Sequence, residues 1–328
     1  MKPRKLIEIF ESLLALKLLK RARPIAVNWG VTGRCNYQCP YCGIHEEVYD
    51  ELDTASALDL VDQFAEAGVI STTFTGGEPL MRQDIGELLE RARDRALTVS
   101  LNTNGRLVPD HLHALKLANT VNLSLDGDRK MVDTVKGEGA YEGVLKAADS
   151  LRGARIPFNL LCAISSQNAD YLHEVIRFAE DWCVGVIFQP VISKTLGIQE
   201  SNPLTPELDA YRRAIDHLIS VKKQKSHLIL NSMTGLRHLA HWPTPTKIPC
   251  AAGGLNCRVQ PDGKVVLCGR MTMGYEAPDI LKVGFRKAFN MLPPIGCSEC
   301  WCASLIEMNY LSTFHPDVII NLLKHRNY

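Results

Sequence analysis

The sequence lacks any run of about 18 consecutive apolar residues, the length that a membrane-spanning helix requires. It lacks a secretory signal as well, because Glu8 and Glu11 interrupt the apolar part of the N-terminus. It also lacks an excess of either charge: 37 basic and 36 acidic residues give a formal net charge of +1, so no overall field favours nucleic acid. We therefore expect a cytoplasmic protein without a nucleic-acid partner.

The small positive excess is concentrated at the N-terminus. Residues 1–23 carry a net charge of +5, which leaves −4 for the rest of the chain. Periodicity predicts an amphipathic basic helix over residues 4–23. Its apolar face is expected to consist of Leu6, Ile7, Phe10, Leu13 and Leu14. Two interpretations are open: a helix that covers the bottom of the following domain, or a helix that makes a peripheral contact with a membrane.

Cysteine, in contrast, is abundant, with 11 residues. Structural disulfides are rare in a reducing compartment, so metal binding or catalysis is the expected use. Cys162 and Cys183 stand alone in apolar surroundings and are predicted to be buried, inert thiols. The other nine cysteines form two groups.

The first group is Cys35, Cys39 and Cys42, three thiols within eight residues. A structural zinc site requires a fourth ligand close by, for which His45 is the next candidate. Three thiolates can instead hold three irons of a [4Fe-4S] cube and leave the fourth iron open to a small molecule. The spacing by itself is compatible with both sites.

The neighbouring segments place this group at one end of a predicted sheet. Residues 25–31 have the character of a buried strand and lead into the cysteines. Residues 69–74 predict the next strand, which runs into Gly76-Gly77-Glu78-Pro79, and residues 55–67 between them predict a helix. The carboxyl ends of parallel strands are where α/β sheets and barrels bind ligands.

On these two motifs the chain resembles the radical S-adenosylmethionine (SAM) enzymes. The cysteine triplet, with Tyr41 before its last member, matches the family's cluster loop, and Gly76-Gly77-Glu78-Pro79 matches the motif that receives the SAM amino group. The resemblance implies that a [4Fe-4S] cluster binds SAM through its open iron. One electron then cleaves SAM to methionine and a 5′-deoxyadenosyl radical, which removes a hydrogen atom from a substrate. It also implies an electron donor such as flavodoxin or ferredoxin.

The resemblance further implies a set of cofactor-binding residues. Ser124 matches the family's polar residue on the fourth strand, whereas Asn102 and Asn104 are weaker candidates for contact with ribose or substrate. Turn formation is the competing interpretation for Asn104 and Asp126, because each precedes a glycine. The expected cofactor-binding residues are Tyr41, Gly76, Gly77, Glu78, Asn102 and Ser124.

The alternation of strands and helices continues beyond these motifs. Further strands are predicted at 98–103, 121–126, 158–164 and 186–189. Further helices are predicted at 83–95, 109–118, 141–153 and 170–182. Six strand–helix units predict a parallel α/β architecture. The resemblance refines this to a partial (β/α)6 TIM-like barrel over residues 24–225.

The second cysteine group follows the Pro-rich segment at residues 242–249. Its members are Cys250, Cys257, Cys268, Cys297, Cys300 and Cys302. Residues 258–267 predict a hairpin with a Pro-Asp-Gly turn, which brings Cys268 back towards Cys250. A four-thiolate zinc site is one interpretation.

Resemblance favours iron and sulfur at this second group. The spacing of Cys250, Gly263 and Cys268 matches the opening of the SPASM and twitch extensions of radical SAM enzymes. Six thiols are too few for two complete clusters, so one auxiliary [4Fe-4S] cluster is expected. Its best ligand set is Cys250, Cys268, Cys297 and Cys300, with Cys257 or Cys302 as substitutes. A second, partly coordinated cluster remains an alternative.

These predictions divide the chain into four parts: an N-terminal helix (1–23), a radical SAM core (24–225), a linker helix with a Pro-rich linker (226–249) and an auxiliary cluster domain with a β-hairpin and helices (250–328). The substrate is open between a peptide, a sugar or aminocyclitol, and a lipid. The 34 residues before Cys35 are too few for an added leader-binding domain, which disfavours a peptide. The functional alternative is a non-catalytic iron-sulfur or zinc protein.

Overall fold

One predominantly parallel sheet organises the chain in a computed structural model that describes residues 3–191, 202–244, 246–269, 275–294 and 300–325. Its strand order is β6-β5-β4-β3-β2-β1-β7-β8, and only β8 is antiparallel to its neighbour. The strands are β1 Ala26–Thr32, β2 Ser71–Gly76, β3 Thr98–Thr103, β4 Thr120–Ser124, β5 Phe158–Ile164, β6 Val186–Pro190, β7 Asn256–Val259 and β8 Val265–Val266.

Helices follow most of the strands. They are α1 Pro3–Leu19, α2 Thr54–Glu66, α3 Ile85–Asp94, α4 Leu112–Leu115, α5 Arg129–Lys136, α6 Ala140–Gly153, α7 Leu172–Trp182, α8 Leu208–Gln224, α9 Met233–Leu239, α10 Ile280–Val283, α11 Phe285–Asn290, α12 Ala303–Ser312 and α13 Pro316–Lys324. Side-chain caps explain several starts: Asp53 accepts from Ser56 N at α2, and Asp128 accepts from Met131 N at α5.

The two faces of the sheet differ in chemistry. On the outer face, Trp29 packs edge-on against Phe74 of β2 and Phe64 of α2, at centroid distances of 5.2 and 5.7 Å, inside the main apolar core. The inner face, which turns away from this core, carries alternate residues such as Asn28, Thr73 and Ser100, which occupy paired positions on adjacent strands. Closed α/β barrels fill this side with branched aliphatic residues. Here it is polar.

The predicted α/β fold with an unclosed, partial barrel is therefore confirmed. All six predicted strands of the core are present, within two residues at each end. The predicted helix at 109–118 is mostly wrong: a 3₁₀ turn at Val108–His111, with Pro109 in its first turn, leaves only the short α4. The predicted hairpin is formed by β7 and β8, and β7 joins the main sheet beside β1.

Helix α1 covers the N-terminal ends of β1 and β2, as the first of the two interpretations predicts. Its buried face was predicted only in part: Phe10 and Leu13 pack inward as expected, but Ile9 was missed and Leu14 is exposed. Ile9 and Leu13 pack against Ile25 and Ile70, which precede the two strands, whereas Ile7 is 59% exposed. The contact with Ile25 and Ile70 therefore turns the buried face of the helix towards Ile9 and away from Ile7 and Leu14.

Two further local predictions need correction. Helix α1 ends at Leu19 rather than at residue 23, because Lys20 adopts left-handed backbone geometry with φ 54°. Cys162 is buried as predicted, but Cys183 is exposed, because it forms the left-handed C-cap of α7 at the surface. Within the described ranges, no helix combines the length and apolar character needed to cross a bilayer.

Candidate functional site

The three N-terminal cysteines lie on the loop that leaves the carboxyl end of β1. Cys35, Cys39 and Cys42 are all half-buried, and Cys42 N donates to Cys39 O over 2.9 Å. Burial raises the pKa of Cys35, and burial also raises the pKa of Cys39 to about 11. Negative charge on Cys42 would raise both values further, which shows that the thiols lie close enough to interact. Without a bound metal, these two thiols are therefore protonated at neutral pH.

The two motif glycines fasten this loop to the end of β2. Gly77 N donates to Thr32 O and Glu78 N donates to Arg34 O, both over 2.8 Å. A Cβ atom at Gly77 would lie 2.0 Å from Arg34 O, and one at Gly76 would lie 2.2 Å from Thr32 O. Gly76 also has φ +120°, which L side chains rarely adopt. Only glycines allow the two loops to approach this closely.

The Glu78 side chain is directed into the protein. It is 1% exposed, and its carboxylate accepts from Thr103 Oγ1 at 2.9 Å and from Asn104 N at 2.8 Å, both at the end of β3. Burial raises the pKa of Glu78 to about 7, against the opposing effect of these hydrogen bonds. The motif glutamate thus ties the β2 loop to the β3 loop.

The two asparagines after and within β3 have different surroundings. Asn102 lies on the inner face, and its Oδ1 accepts from Asn122 Nδ2 over 2.8 Å. Asn104 Oδ1 accepts from Arg106 N at 3.1 Å, which is the predicted turn contact. Its Nδ2 also donates to Asn36 Oδ1 at 2.7 Å, within the cysteine loop. Asn104 therefore serves the turn and supports the cysteine loop at the same time.

A buried ion pair lies beneath the cysteine loop. Lys136 Nζ is 2.9 Å from Asp126 Oδ2, with side chains only 2% and 7% exposed, and it donates to Ser124 O over 3.2 Å. Tyr41 Oη donates to Asp126 Oδ2 at 3.5 Å, and Asp126 Oδ1 accepts from Ala163 N at 2.8 Å. Ser124, Asp126 and Tyr41 thus belong to one network.

Sequence reasoning left Asp126 open between a turn residue and a site residue, and it missed Lys136 altogether. The positive charge of Lys136 lowers the pKa of Cys39, against the larger effect of burial. Lys136 is the last residue of α5, a helix that was not predicted. Asp128 is the N-cap residue of α5, and its side chain accepts from Met131 N. An aspartate at this position was the sequence feature that could have predicted the start of the helix.

The second cysteine group is spread over several environments. Cys257 is 3% exposed on β7, in the outer apolar core, and burial raises its pKa strongly. Cys268, Cys300 and Cys302 are half-buried, and Cys250 is exposed. Cys297 lies outside the described residues. Among the residues that are described, no three Cys, His, Asp or Glu side chains surround a single metal ion.

Two polar contacts support the half-buried members of this group. His238 Nε2 lies 2.9 Å from Cys300 O, and Cys302 Sγ lies 3.5 Å from Gln189 Oε1 at the end of β6. Gln189 occupies the inner face opposite Ala163 of β5. Cys302 therefore lies at the rim of the partial barrel, on the same side as the cysteine triplet.

Comparison with known proteins agrees with this geometry. Residues 29–179 match the family model described as the radical SAM superfamily. A mycofactocin maturase of Mycolicibacterium smegmatis is 28% identical over 75% of this chain and 64% of its own length. An Fe-coproporphyrin III synthase of Methanosarcina barkeri is 30% identical over 65% of this chain and 54% of its own length. The chain thus spans a little over half the length of these curated relatives.

A solved structure shares the fold. Streptococcus suis SuiB, bound to S-adenosylmethionine, superposes with a TM-score of 0.70 at 15% identity, covering 86% of this chain and 69% of that one. SuiB has also been solved with its precursor peptide SuiA. The matched segment begins in β1, includes the cysteine triplet and both motif glycines, and ends in α7. This chain therefore carries a radical SAM domain, which occupies residues 29–179.

Proposed function

We propose that the chain is a radical SAM enzyme that cleaves S-adenosylmethionine reductively at a [4Fe-4S] cluster held by Cys35, Cys39 and Cys42. When bound, the cluster and SAM supply a 5′-deoxyadenosyl radical that abstracts hydrogen from the substrate. The single observation that carries this proposal is a pair of 2.8 Å backbone hydrogen bonds, which Gly77 N and Glu78 N donate to Thr32 O and Arg34 O where the chain enters the cysteine loop. Three thiols and a glycine-lined backbone edge thereby meet at the carboxyl ends of β1 and β2.

The chemistry of the triplet suits a three-thiolate cluster, although its three side chains do not converge on one metal position in the described part of the chain. The donor set is all sulfur, which iron-sulfur clusters require, and the thiols interact with one another. Their burial favours the protonated form, so metal binding must release protons. Lys136 offsets part of that cost, because its charge favours the Cys39 thiolate.

The residues around the thiols hold the loop in place. Thr32 Oγ1 donates to Glu51 Oε1 over 2.6 Å, and Gly33 N donates to the same oxygen over 2.9 Å. Glu78 and Asn104 support the loop from β3. We assign SAM contact to Tyr41, Gly76, Gly77, Asn102 and Ser124, whereas the buried carboxylate of Glu78 orders the loops that hold the cofactor.

The polar inner face supports a substrate with polar groups. Asn28, Thr73, Asn102 and Asn122 line it on β1 to β4, whereas Leu161 and Ile187 of β5 and β6 add apolar surface on the same side. This mixed face favours a substrate that carries polar groups, as a peptide or a sugar does, over a purely apolar lipid tail. Among these, the peptide is supported by a relative whose name states that it acts on one, a PqqA peptide cyclase of Gluconobacter oxydans that is 28% identical over 85% of this chain and 76% of its own length.

An auxiliary [4Fe-4S] cluster and an external electron donor complete the proposal. Cys250, Cys268, Cys297 and Cys300 are the proposed ligands, and the half-buried positions of Cys268 and Cys300 support two of them. Flavodoxin or ferredoxin is the proposed type of donor, since SAM cleavage consumes one electron.

The test is anaerobic reconstitution followed by counting of iron and sulfide, with SAM and dithionite added and 5′-deoxyadenosine assayed. We expect about eight irons per chain, from two cubes, and deoxyadenosine formation by the wild type. Cys183→Ala is the matched control, because this thiol is exposed at the end of α7 and should leave both results unchanged. Stoichiometric zinc without SAM cleavage would contradict the proposal and leave the non-catalytic alternative.

A further inference from the structure

Helix α1 carries apolar side chains on two opposite sides. Ile9 and Leu13 are buried against the residues that precede β1 and β2. Ile7, Leu14 and Leu18 are exposed, and their spacing of seven and four residues places them together on one side of the helix. Ile7 and Ile9 are two positions apart, which corresponds to a rotation of about 200° around a helix. The exposed apolar side is therefore not the side that covers the sheet.

The exposure of apolar side chains is greatest where this helix ends. Leu18 and Leu19 are 71% and 72% exposed. Four of the nine large apolar side chains that are exposed in the described part of the chain belong to α1. Single exposed apolar residues are ordinary, whereas a group of them on one element marks a contact surface. We name this group, which consists of Ile7, Leu14, Leu18 and Leu19, the outer patch.

Basic side chains accompany the two leucines at the end of the outer patch. Lys17, Lys20 and Arg21 are all exposed. Glu11 is the exposed acidic residue of the helix, and it lies about two turns before these leucines. The end of α1 therefore presents apolar and positively charged groups side by side, within an N-terminal segment whose net charge is +5 over residues 1–23.

Charge distinguishes the partners that could cover the outer patch. In a symmetric dimer that pairs the patch with itself, the same three cations of the two copies would meet, which is unfavourable. An anionic bilayer attracts basic residues and accepts apolar side chains at the boundary between its headgroups and acyl chains. We propose that α1 docks the protein peripherally on an anionic membrane surface, with the outer patch inserted and the three cations among the headgroups.

Docking through the outer patch leaves the candidate active site accessible. Helix α1 packs against the residues before β1 and β2, at the N-terminal edge of the sheet, whereas the cysteine loop leaves the carboxyl end of β1. The seven residues of β1, about 23 Å of extended chain, separate the two edges. The membrane contact thus holds the protein at the surface without covering the site, and it is independent of the chemistry proposed there.

Co-sedimentation of the reconstituted full chain with lipid vesicles tests this inference. One set of vesicles is phosphatidylcholine, and the other is phosphatidylcholine mixed with anionic phosphatidylglycerol. We expect the wild type to bind the mixed vesicles, and to bind them less tightly as the salt concentration rises, because salt screens the attraction to the headgroups.

Two double variants separate the apolar and the charged parts of the contact. Leu18→Ser with Leu19→Ser should weaken binding to the mixed vesicles by about tenfold or more, because two apolar side chains no longer insert. Lys20→Gln with Arg21→Gln should weaken it by about thirtyfold and should remove the preference for anionic vesicles. Leu281→Ser, at an exposed position on α10, is the matched control and should bind like the wild type.

Three results would overturn the inference: a wild type that stays in solution with both kinds of vesicle, equal binding to neutral and anionic vesicles, or wild-type binding by the leucine variant. Sedimentation velocity without vesicles covers the remaining partner. A wild-type dimer that the leucine variant converts to a monomer would assign the outer patch to a second copy of the chain instead. Deoxyadenosine formation by the leucine variant should equal that of the wild type, so a failure of SAM cleavage and a failure of docking are recognised separately.

Discussion

The two cysteine groups of this protein differ in how the chain brings them together. The triplet lies within eight consecutive positions on one loop, which the end of β2 holds by backbone hydrogen bonds and Asn104, after β3, by a side-chain hydrogen bond to Asn36. The second group extends from Cys250 to Cys302 and lies on β7, after β8 and before α12. The first group is therefore a local motif placed on a sheet edge, whereas the second is assembled by tertiary structure.

This difference explains why the two groups differ in regularity. The triplet thiols are all half-buried, as a loop that wraps one inorganic centre requires. The second group contains a fully buried thiol, Cys257, and an exposed one, Cys250. In the proposed function all three cysteines of the local motif serve one centre, whereas Cys257 of the longer segment is a core residue.

The strongest test of the comparison removes each group in turn. The triple Ala variant of Cys35, Cys39 and Cys42 should lose about four irons and all deoxyadenosine formation, because it removes the cluster that binds SAM. Cys268→Ala should also lose about four irons but should still cleave SAM in the absence of substrate. Iron analysis and a deoxyadenosine assay measure both effects.

Cys257→Ala is the matched control for Cys268→Ala. Its thiol packs in the outer core, so iron content should stay at the wild-type level. Deoxyadenosine formation by the triple variant would show that the triplet is not the site of SAM cleavage. Loss of iron from Cys257→Ala, with full retention in Cys268→Ala, would exchange the roles assigned to these two cysteines.

A second test targets the ion pair beneath the triplet. Lys136→Met should lower the free energy of unfolding by about 3–5 kcal/mol, because it leaves the Asp126 carboxylate buried without its counter-charge. Lys264→Met removes half of an exposed pair with Asp262 and should cost at most about 1 kcal/mol. Denaturant unfolding gives both values. Equal, small losses in the two variants would show that the buried pair does not stabilise the fold.

A third test concerns the contact between the two loops. Gly77→Ala should cost about 1–3 kcal/mol and reduce SAM cleavage, because its Cβ would displace the backbone of the cysteine loop at Arg34. Gly153→Ala is the control: no atom lies within 4 Å of its Cβ position at the end of α6. A Gly77→Ala protein with wild-type stability and turnover would exclude close packing as the reason for the glycine.

The smallest expected effect lies in the C-terminal region. Glu307 accepts from Ser232 N at 2.8 Å, and burial raises its pKa to about 7 from 4.5. The folded state therefore binds this proton more tightly than the unfolded state, so the Glu307 contribution to stability falls as pH rises from about 4.5 to about 7. Glu307→Gln should flatten the pH dependence of the unfolding free energy over this window.

The exposed Glu90→Gln variant provides the comparison for this pH series. Its curve should run parallel to that of the wild type. If the unfolding free energy of Glu307→Gln also changed with pH in parallel to that of the wild type, folding would not raise the pKa of this buried carboxyl.

Features that depend on neighbouring residues were predicted well from sequence. Strand positions, the loop that carries Cys35, Cys39 and Cys42, and the Pro-Asp-Gly hairpin all follow from apolar patterns and turn residues within short windows. The inert buried environment of Cys162 followed in the same way. In each case the local preference and the final packing agree.

Features that depend on distant contacts were not predicted. The buried stripe of α1 is set by Ile25 and Ile70, which the helix sequence does not specify. Lys136 acquires its role only where α5 meets the end of β4, and Arg258 reaches Asn28 across 230 residues of sequence. Such pairings depend on which strands and helices become neighbours and on the register of the strands, and a local sequence pattern specifies neither.

The central claim is that the triplet holds a cube whose fourth iron is open to SAM. Mössbauer spectroscopy of the reconstituted, ⁵⁷Fe-labelled Cys268→Ala variant tests this most directly, because only the triplet cluster is expected to remain in it. We predict that one of its four irons changes its isomer shift when SAM is added and the other three do not. Four irons that are unaffected by SAM, or a site that binds zinc and no iron, would contradict the account.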